Sequence, residues 1–398
     1  MKKQINNFSR VLCALMLCAG IAFAGCTDDP LGKDQSTEQE GKGPVVPTGY
    51  TNLSAAATAN CYIVSQSGSY CFLTAKGNNP SGILDLTESA SVLWESFGTS
   101  TAPGVGDLIK SVSYKDGYIA FQTADTFKEG NAVVAAKDAD GNILWSWHIW
   151  FTDEPQGQEY YNNAGTMMDR NLGATSATPG DVGALGLLYQ WGRKDPFLGS
   201  SSIHLDDIAV AKSTIAWPSA VKSDSSNGTI EYATSHPTTF ITENSNWDWY
   251  YTGSSSTDTP LWTTSDKAKS IYDPCPAGWR VPDGGSNGVW SKALGSSSWF
   301  EHTYSSSNEG LNFSGKFGSA STIWYPSSGC RNDLDGSLRS VGDLGYCWSA
   351  SPNSKLAYYL SFDNDGDVYP SYDFYRAIGF SVRCLQEIDE VAGANAEE

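Results

Sequence analysis

The sequence predicts a mainly β protein, with an α+β second half, built from two folded domains. Residues 50–153 alternate short β-branched and aromatic segments with turn residues. Residues 156–388 are rich in glycine, serine and aromatic residues and contain few helical stretches. Within them, residues 273–282 (DPCPAGWRVP) place Cys275 between two prolines. Prolines hold the backbone extended, and this rigid setting suits a long-range disulfide.

The N-terminus predicts export. Residues 1–25 combine three basic residues with an apolar run at 11–24, which is shorter than the roughly 20 residues needed to span a bilayer. The run ends Ala-Gly-Cys26, which is similar to the lipobox of bacterial lipoproteins and implies an acylated Cys26. An ordinary signal peptide cut near this point is the alternative. We expect an outer-membrane lipoprotein displayed at the cell surface.

The flanking segments and the charge limit the possible partners. Residues 26–48 are polar without apolar periodicity and predict a flexible tether, and residues 389–398 form an acidic tail. The formal net charge of −19 disfavours nucleic acid and anionic membrane surfaces. We therefore expect contact with the membrane only through the lipid anchor, and no binding of nucleic acid.

The first domain, residues 49–155, predicts a β-sandwich of about 100 residues, because short strands follow one another at regular spacing. Its turn at residues 138–142 (DADGN) lacks the closing glutamate of a calcium loop, so a hairpin is favoured. In the second domain, residues 289–294 and 182–191 suggest short helices. Six cysteines remain after the first 26 residues and allow 15 pairings, and the pairs we expect are Cys61–Cys71, Cys275–Cys384 and Cys330–Cys347.

Five ordered motifs in the second domain resemble those of the Fibrobacter succinogenes major paralogous domain, which is common in exported proteins of Bacteroidetes. The resemblance implies a C-type-lectin-like fold that brings its termini together and carries its ligand surface on long loops. Residues 58–64 and 144–150 are similar to the immunoglobulin-like front domain joined to it in surface lipoproteins and fimbrial tip proteins. The five motifs are residues 168–174, 186–197, 273–282, 346–350 and 379–385.

The predicted ligand surface is a loop at residues 351–376, which is dominated by serine, asparagine, tyrosine and aspartate. Tyrosine offers rigid contact area and the small polar residues adapt their hydrogen bonds, as in antibody loops. The ligand would be a glycan or a protein, and a polar loop that only confers solubility is the alternative. The segment also resembles the variable segment of proteins diversified by retroelements. The candidate ligand-binding residues are Asn353, Tyr358, Tyr359, Asp363, Asn364, Tyr369, Tyr372 and Tyr375.

A calcium site is a second hypothesis for this segment. Asp363, Asp365 and Asp367 place oxygen ligands close together around Gly366, as calcium prefers. The same run lies between two strand-like segments, so a hairpin turn is the alternative. No other cofactor is expected. Residues 246–251 (NWDWYY) could stack on sugar rings, although core packing is favoured.

The sequence predicts no enzyme. It contains no H-E-x-x-H, G-x-S-x-G, P-loop or dinucleotide motif. Cys330-Arg331 is similar to the reactive site of formylglycine-generating oxidases, which share the lectin-like fold. An oxidase would require a free, reactive Cys330. We expect a ligand-binding module or adhesin, with a structural or tip subunit of a fimbria as the alternative and the oxidase third.

Overall fold

The computed structural model describes residues 43–213, 219–253, 261–264, 268–295 and 304–387. Strands make up 39% and helices 5%, so the mainly β prediction is confirmed. The predicted signal peptide, the lipidated Cys26, most of the tether and the tail at 389–398 lie outside the described residues. No helix in the described part of the chain is long and apolar enough to cross a membrane.

Two sheets contain the strands of the front half, together with one strand, at residues 211–213, from the second half. The first contains, in spatial order, β1 (Thr51–Asn52), β3 (Ser69–Leu73), β6 (Tyr118–Thr123) and β5 (Ile109–Lys115). The second contains, in spatial order, β12 (Ala211–Ser213), β4 (Ser89–Ser96), β7 (Gly130–Lys137), β8 (Ile143–Phe151) and β2 (Cys61–Val64). The two sheets share one apolar core, in which Phe72 of β3 packs on Trp147 of β8 with ring centroids 5.2 Å apart.

The five-stranded sheet is buried on both faces. Along β8, Trp145, Trp147 and Ile149 enter the core between the two front sheets, whereas Trp150 enters the core shared with the second half. Successive side chains of a strand point to opposite faces, so this sheet separates two cores. Burial on both sides explains why the β8 sequence is almost continuously apolar instead of alternating with polar residues.

Polar contacts join the two halves across this sheet. Asn60 donates from Nδ2 to the carbonyl oxygens of Ile271 and Asp273, each at 2.8 Å, and accepts from Trp145 Nε1 at 2.9 Å. Asn131 Nδ2 donates to Gly173 O at 2.9 Å. Residue 43 onward belongs to one compact unit. The division into two domains near residue 155 stays a prediction.

The second half is built on a seven-stranded sheet. It contains, in spatial order, β19 (Leu338–Arg339), β18 (Cys330–Arg331), β23 (Gly379–Ser381), β20 (Leu344–Asn353), β21 (Leu356–Asp363) and β22 (Val368–Tyr375), with β11 (Leu188–Gln190) also paired to β23. A four-stranded sheet contains β15 (Trp279–Arg280), β24 (Leu385–Gln386), β10 (Gly165–Met168) and β9 (Gly157–Tyr160). Two further pairs are β13 (Ser219–Lys222) with β14 (Thr239–Thr242) and β16 (Gly310–Asn312) with β17 (Trp324–Pro326).

The helices are short. Helix α1 is Ile230–Ser235 and is capped by Thr229, whose side chain accepts from Tyr232 N; α2 is Val289–Leu294. The prediction of a helix at 289–294 is confirmed. The predicted helix at 182–191 is wrong beyond one 3₁₀ turn at Val182–Ala184, because β11 pairs with β23 in that segment.

The turn around Cys275 closes on buried polar groups. The Asp273 carboxylate accepts from Cys275 N and Val281 N, each at 2.8 Å. The Lys269 ammonium donates to the carbonyls of Cys275 at 3.0 Å, Pro276 at 2.8 Å and Trp279 at 2.5 Å. The predicted Cys275–Cys384 disulfide is present and links this turn to the segment before β24.

The other two predicted disulfides are wrong, because Cys61, Cys71, Cys330 and Cys347 are free and buried. Cys61 and Cys330 belong to the core shared by both halves. Cys71 lies in a small separate cluster, and Cys347 packs in the core beside α2. The members of each predicted pair therefore face different cores.

Candidate ligand-binding surface

The predicted ligand loop is wrong as a loop, because most of residues 351–376 belong to a three-stranded antiparallel meander of β20, β21 and β22. Two-residue and longer turns join the strands, and Ser354 in the first turn takes a positive φ of 54°. Strand β22 lies at the edge of its sheet in the described part of the chain. It contains Pro370, which has no backbone N–H and is tolerated at a sheet edge.

A row of aromatic side chains crosses four strands of this sheet, from the core to the edge. Phe380 stacks on Tyr346 at 4.4 Å between centroids, and Tyr346 contacts Tyr359 at 5.8 Å. Tyr359 contacts Tyr372 at 5.9 Å, and Tyr372 contacts Tyr369 at 5.5 Å. Phe380 is 1% and Tyr359 4% exposed, whereas Tyr372 is 53% and Tyr369 45% exposed. We name the two exposed residues, Tyr369 and Tyr372, the tyrosine edge.

The structure separates the other predicted tyrosines from this edge. Tyr359 is a core residue, and burial raises the pKa of its hydroxyl. Tyr358 packs so closely on Gly284 that an added Cβ there would lie 2.8 Å from the Tyr358 Cβ. Tyr375 stacks on Trp247 with ring centroids 5.1 Å apart. Tyr358 and Tyr375 pair with Asp373 and Leu356, so they share the opposite face of the β21–β22 pair from Tyr359 and Tyr372.

The predicted polar ligand residues lie at the two ends of the meander. At one end Asn353 donates from Nδ2 to the Asp373 carboxylate. At the other end Asp363 and Asn364 begin the β21–β22 turn, where Asn364 Nδ2 donates to Asp343 Oδ1 at 3.2 Å. The eight predicted residues therefore do not converge on one site.

The calcium candidates form a hairpin turn. Asp363 Oδ1 accepts from Asp365 N at 3.1 Å and from Asp367 N at 2.9 Å. In the β7–β8 turn, Asp138 Oδ1 likewise accepts from Asp140 N at 3.0 Å and from Asn142 N at 2.8 Å. Among the described residues, no group of three or more His, Cys, Asp or Glu side chains is arranged to hold a metal ion.

Trp247 and Trp249, from the aromatic segment at 246–251, serve packing instead of presenting free ring faces. Trp249 is 2% exposed and donates from Nε1 to Trp191 O at 2.6 Å. Trp247 lies against Tyr375 and also carries Lys355 Nζ 3.5 Å from its ring centroid. This lysine–tryptophan contact is not predictable from sequence, because residues 108 positions apart meet only in the folded chain.

A cleft of about 950 Å³ lies beside β9, β10 and α2, and neither Tyr369 nor Tyr372 lines it. It is lined by charges of both signs, among them Lys269, Arg280 and Asp283. Arg280 pairs with Asp283 at 2.7 Å, and the Lys269 ammonium is held by the three carbonyls described above. These three charged groups already have partners within the protein, so their charges do not indicate which kind of ligand the cleft would bind.

A buried Cys–His–Asn chain resembles a catalytic arrangement in its geometry. Cys61 Sγ lies 3.4 Å from His148 Nδ1, and His148 Nε2 lies 2.8 Å from Asn131 Oδ1. Because Asn131 Nδ2 donates to Gly173 O, its Oδ1 faces His148 and accepts from Nε2–H. Nδ1 is then the acceptor for the Cys61 thiol. Burial raises the pKa of Cys61 and lowers that of His148 to about 3, so the thiol–neutral imidazole form is favoured.

Cys330 is free, as the oxidase hypothesis requires, but its surroundings oppose reactivity. Burial raises the pKa of its thiol to about 12. A thiolate is the reactive form of cysteine, so this thiol is expected to be a poor nucleophile. Arg331 is buried beside it and donates to Leu198 O at 2.9 Å and Gly336 O at 2.6 Å. Its guanidinium is therefore engaged with the backbone and is not positioned to bind a substrate.

Compared with known protein families, curated proteins and solved structures, the chain has no match. The resemblance to the Fibrobacter domain, the surface location and the absence of enzymatic activity therefore stay predictions.

Proposed function

We propose that the protein is a cell-surface lipoprotein whose second half binds a glycan or protein ligand through the tyrosine edge, Tyr369 and Tyr372. The proposal rests on one observation: two neighbouring tyrosines are about half exposed at a sheet edge while a buried aromatic row supports them. Aromatic side chains held rigidly at a surface lose little conformational entropy on binding, and tyrosine is enriched at binding hot spots.

The proposal includes the fold assignments suggested by the sequence motifs: an immunoglobulin-like front half and a C-type-lectin-like second half. Two front sheets that share one core are compatible with the first assignment. The pairing of β10 with β24, which brings the two ends of the second half together, is compatible with the second. Lipidation of Cys26 would anchor the molecule, with residues 26–48 as the tether.

Glycan and protein arrays probed with the purified chain and with a Tyr369→Ala/Tyr372→Ala variant test this function. We expect the double variant to lose about tenfold or more in affinity for the ligand that the native chain binds, as for the truncation of hot-spot side chains. Tyr161→Ala is the matched control, because Tyr161 is 39% exposed and lies outside the meander.

Equal loss of binding in the control and the double variant would refute a specific role for the tyrosine edge. Stable association with other envelope proteins that survives the double substitution would instead support the structural, fimbrial alternative.

A further inference from the structure

We infer that the tyrosine edge selects a cationic partner, namely a protein segment that presents arginine or lysine side chains. This inference rests on the proposed function and names the chemistry of its ligand. It follows from the composition of β21 and β22 around Tyr369 and Tyr372: the two strands and their turn combine exposed aromatic rings with aspartates and contain no lysine or arginine.

The first step is the charge of the two strands. Residues 356–375 contain four aspartates and no lysine or arginine. Asp363, Asp365 and Asp367 form the turn immediately before Tyr369, and Asp343 joins them through the Asn364 hydrogen bond. The nearest basic residues in the sequence are Lys355, which lies over Trp247, and Arg376, which is 2% exposed and 3.5 Å from Asp248.

The second step is the field at the tyrosine edge itself. Negative charge on Asp367 is the main cause that raises the pKa of the Tyr369 hydroxyl, with desolvation next and Asp363 third. An exposed phenol responds to these carboxylates, so a cation at the same place would be stabilised by them. Anionic glycans would be repelled.

The third step is the shape and chemistry of the rings. The Tyr369 and Tyr372 rings are tilted at 38° to each other and remain about half exposed. A guanidinium or ammonium group over an exposed aromatic face gains a cation–π interaction. The chain itself makes such a contact at the other end of the meander, between Lys355 and Trp247.

The β7–β8 turn provides a matched control for charge alone. Asp138 N donates to Asn142 O at 3.0 Å and Gly141 N to Asp138 O at 3.1 Å, and Asp363 N donates to Asp367 O and Gly366 N to Asp363 O, each at 3.1 Å. The two turns therefore share the same hydrogen-bond pattern. The residue two positions after Asn142 is Leu144, whereas the residue two positions after Asp367 is Tyr369. If binding depends on the tyrosine edge, substitutions in the β7–β8 turn should leave it unchanged.

The test uses the purified full chain and three fluorescein-labelled nonapeptides that alternate glycine with arginine, glutamine or glutamate. By fluorescence polarisation we expect the arginine peptide to bind and the other two not to. Tyr369→Leu and Tyr372→Leu should each weaken its binding by about two- to fivefold. Asp367→Asn should weaken binding at low salt, and added salt should reduce the difference from the native chain; Asp140→Asn, which removes the same charge from the other turn, should leave binding unchanged.

Two results would overturn the inference. The first is equal weakening by Asp140→Asn and by Asp367→Asn with no effect of the tyrosine substitutions, which would indicate only general attraction to an acidic protein. The second is equal binding of the glutamine peptide. If no peptide binds, while a neutral glycan or protein found on the arrays loses affinity for the Tyr369→Ala/Tyr372→Ala variant, the cationic partner is refuted and the proposed function stands.

Discussion

His148 should make the stability of this protein fall in mild acid, and a His148→Gln variant isolates the effect. The folded pKa of His148 is about 3 because of burial, whereas its ordinary value is 6.5. The unfolded chain therefore binds the proton more tightly, and the stability that depends on a neutral His148 is fully present above pH 6.5. It is lost as the pH falls from 6.5 towards 3.

The magnitude follows from the distance between the two pKa values. A pH of 5 lies 1.5 units below the pKa of His148 in the unfolded chain. Protonation of the unfolded chain therefore lowers the free energy of unfolding by about 2 kcal/mol. Near pH 3 the loss would approach about 5 kcal/mol. Burial raises the pKa values of Asp248 and Asp273 from 3.8 to about 6. These two carboxyl groups therefore stabilise the folded chain as the pH falls from 6 towards 3.8, which opposes the effect of His148.

The assay is urea unfolding of the native chain and of His148→Gln at pH 7 and pH 5. Glutamine can still donate to Asn131 Oδ1 but cannot be protonated. Because both proteins carry the same aspartates, the difference in their unfolding free energies reports His148 alone. We expect the free energy of unfolding of the native chain, relative to that of His148→Gln, to fall by about 2 kcal/mol between pH 7 and pH 5. Parallel pH profiles would refute the neutral, buried histidine.

Two further predictions concern the turn around Cys275. The Cys275→Ala/Cys384→Ala variant should lose about 4–5 kcal/mol of stability, because the disulfide closes a loop with a sequence separation of 109; a loss below about 1 kcal/mol in urea unfolding would contradict this. Lys269→Met should cost about 2–4 kcal/mol, because three carbonyls lose a charged donor. The exposed Lys110→Met is its control in thermal unfolding, and equal melting temperatures would contradict the role of the carbonyl contacts.

The local features of this fold were predictable from sequence, because they depend on neighbouring residues. The aspartate–glycine turn at 138–142 lies between two strands as its spacing indicated, and the helix at 289–294 has the predicted bounds. The rigid turn that presents Cys275 was predictable in the same way, because two prolines flank it, although the disulfide itself joins residues 109 positions apart.

The remaining cysteine pairs depend on which face of a sheet each residue occupies, and the sequence does not record that. The thiol of Cys61 enters the core shared by both halves, whereas Cys71 faces a separate cluster in the other front sheet. The prediction of a loop for the ligand segment fails for a related reason. Serine, aspartate and proline in β22 are compatible with a strand only because it lies at the edge of its sheet.

The five-stranded sheet also determines how the candidate surface is supported. The core that receives Trp150 from β8 continues through Trp191 and Trp348 to Phe380 and Tyr359. Tyr359 then supports Tyr372 at the sheet edge. Apolar contacts therefore connect the front sheet to the tyrosine edge without a break. Because a close-packed core has few ways to rearrange, the front half contributes to the rigidity of the proposed binding edge.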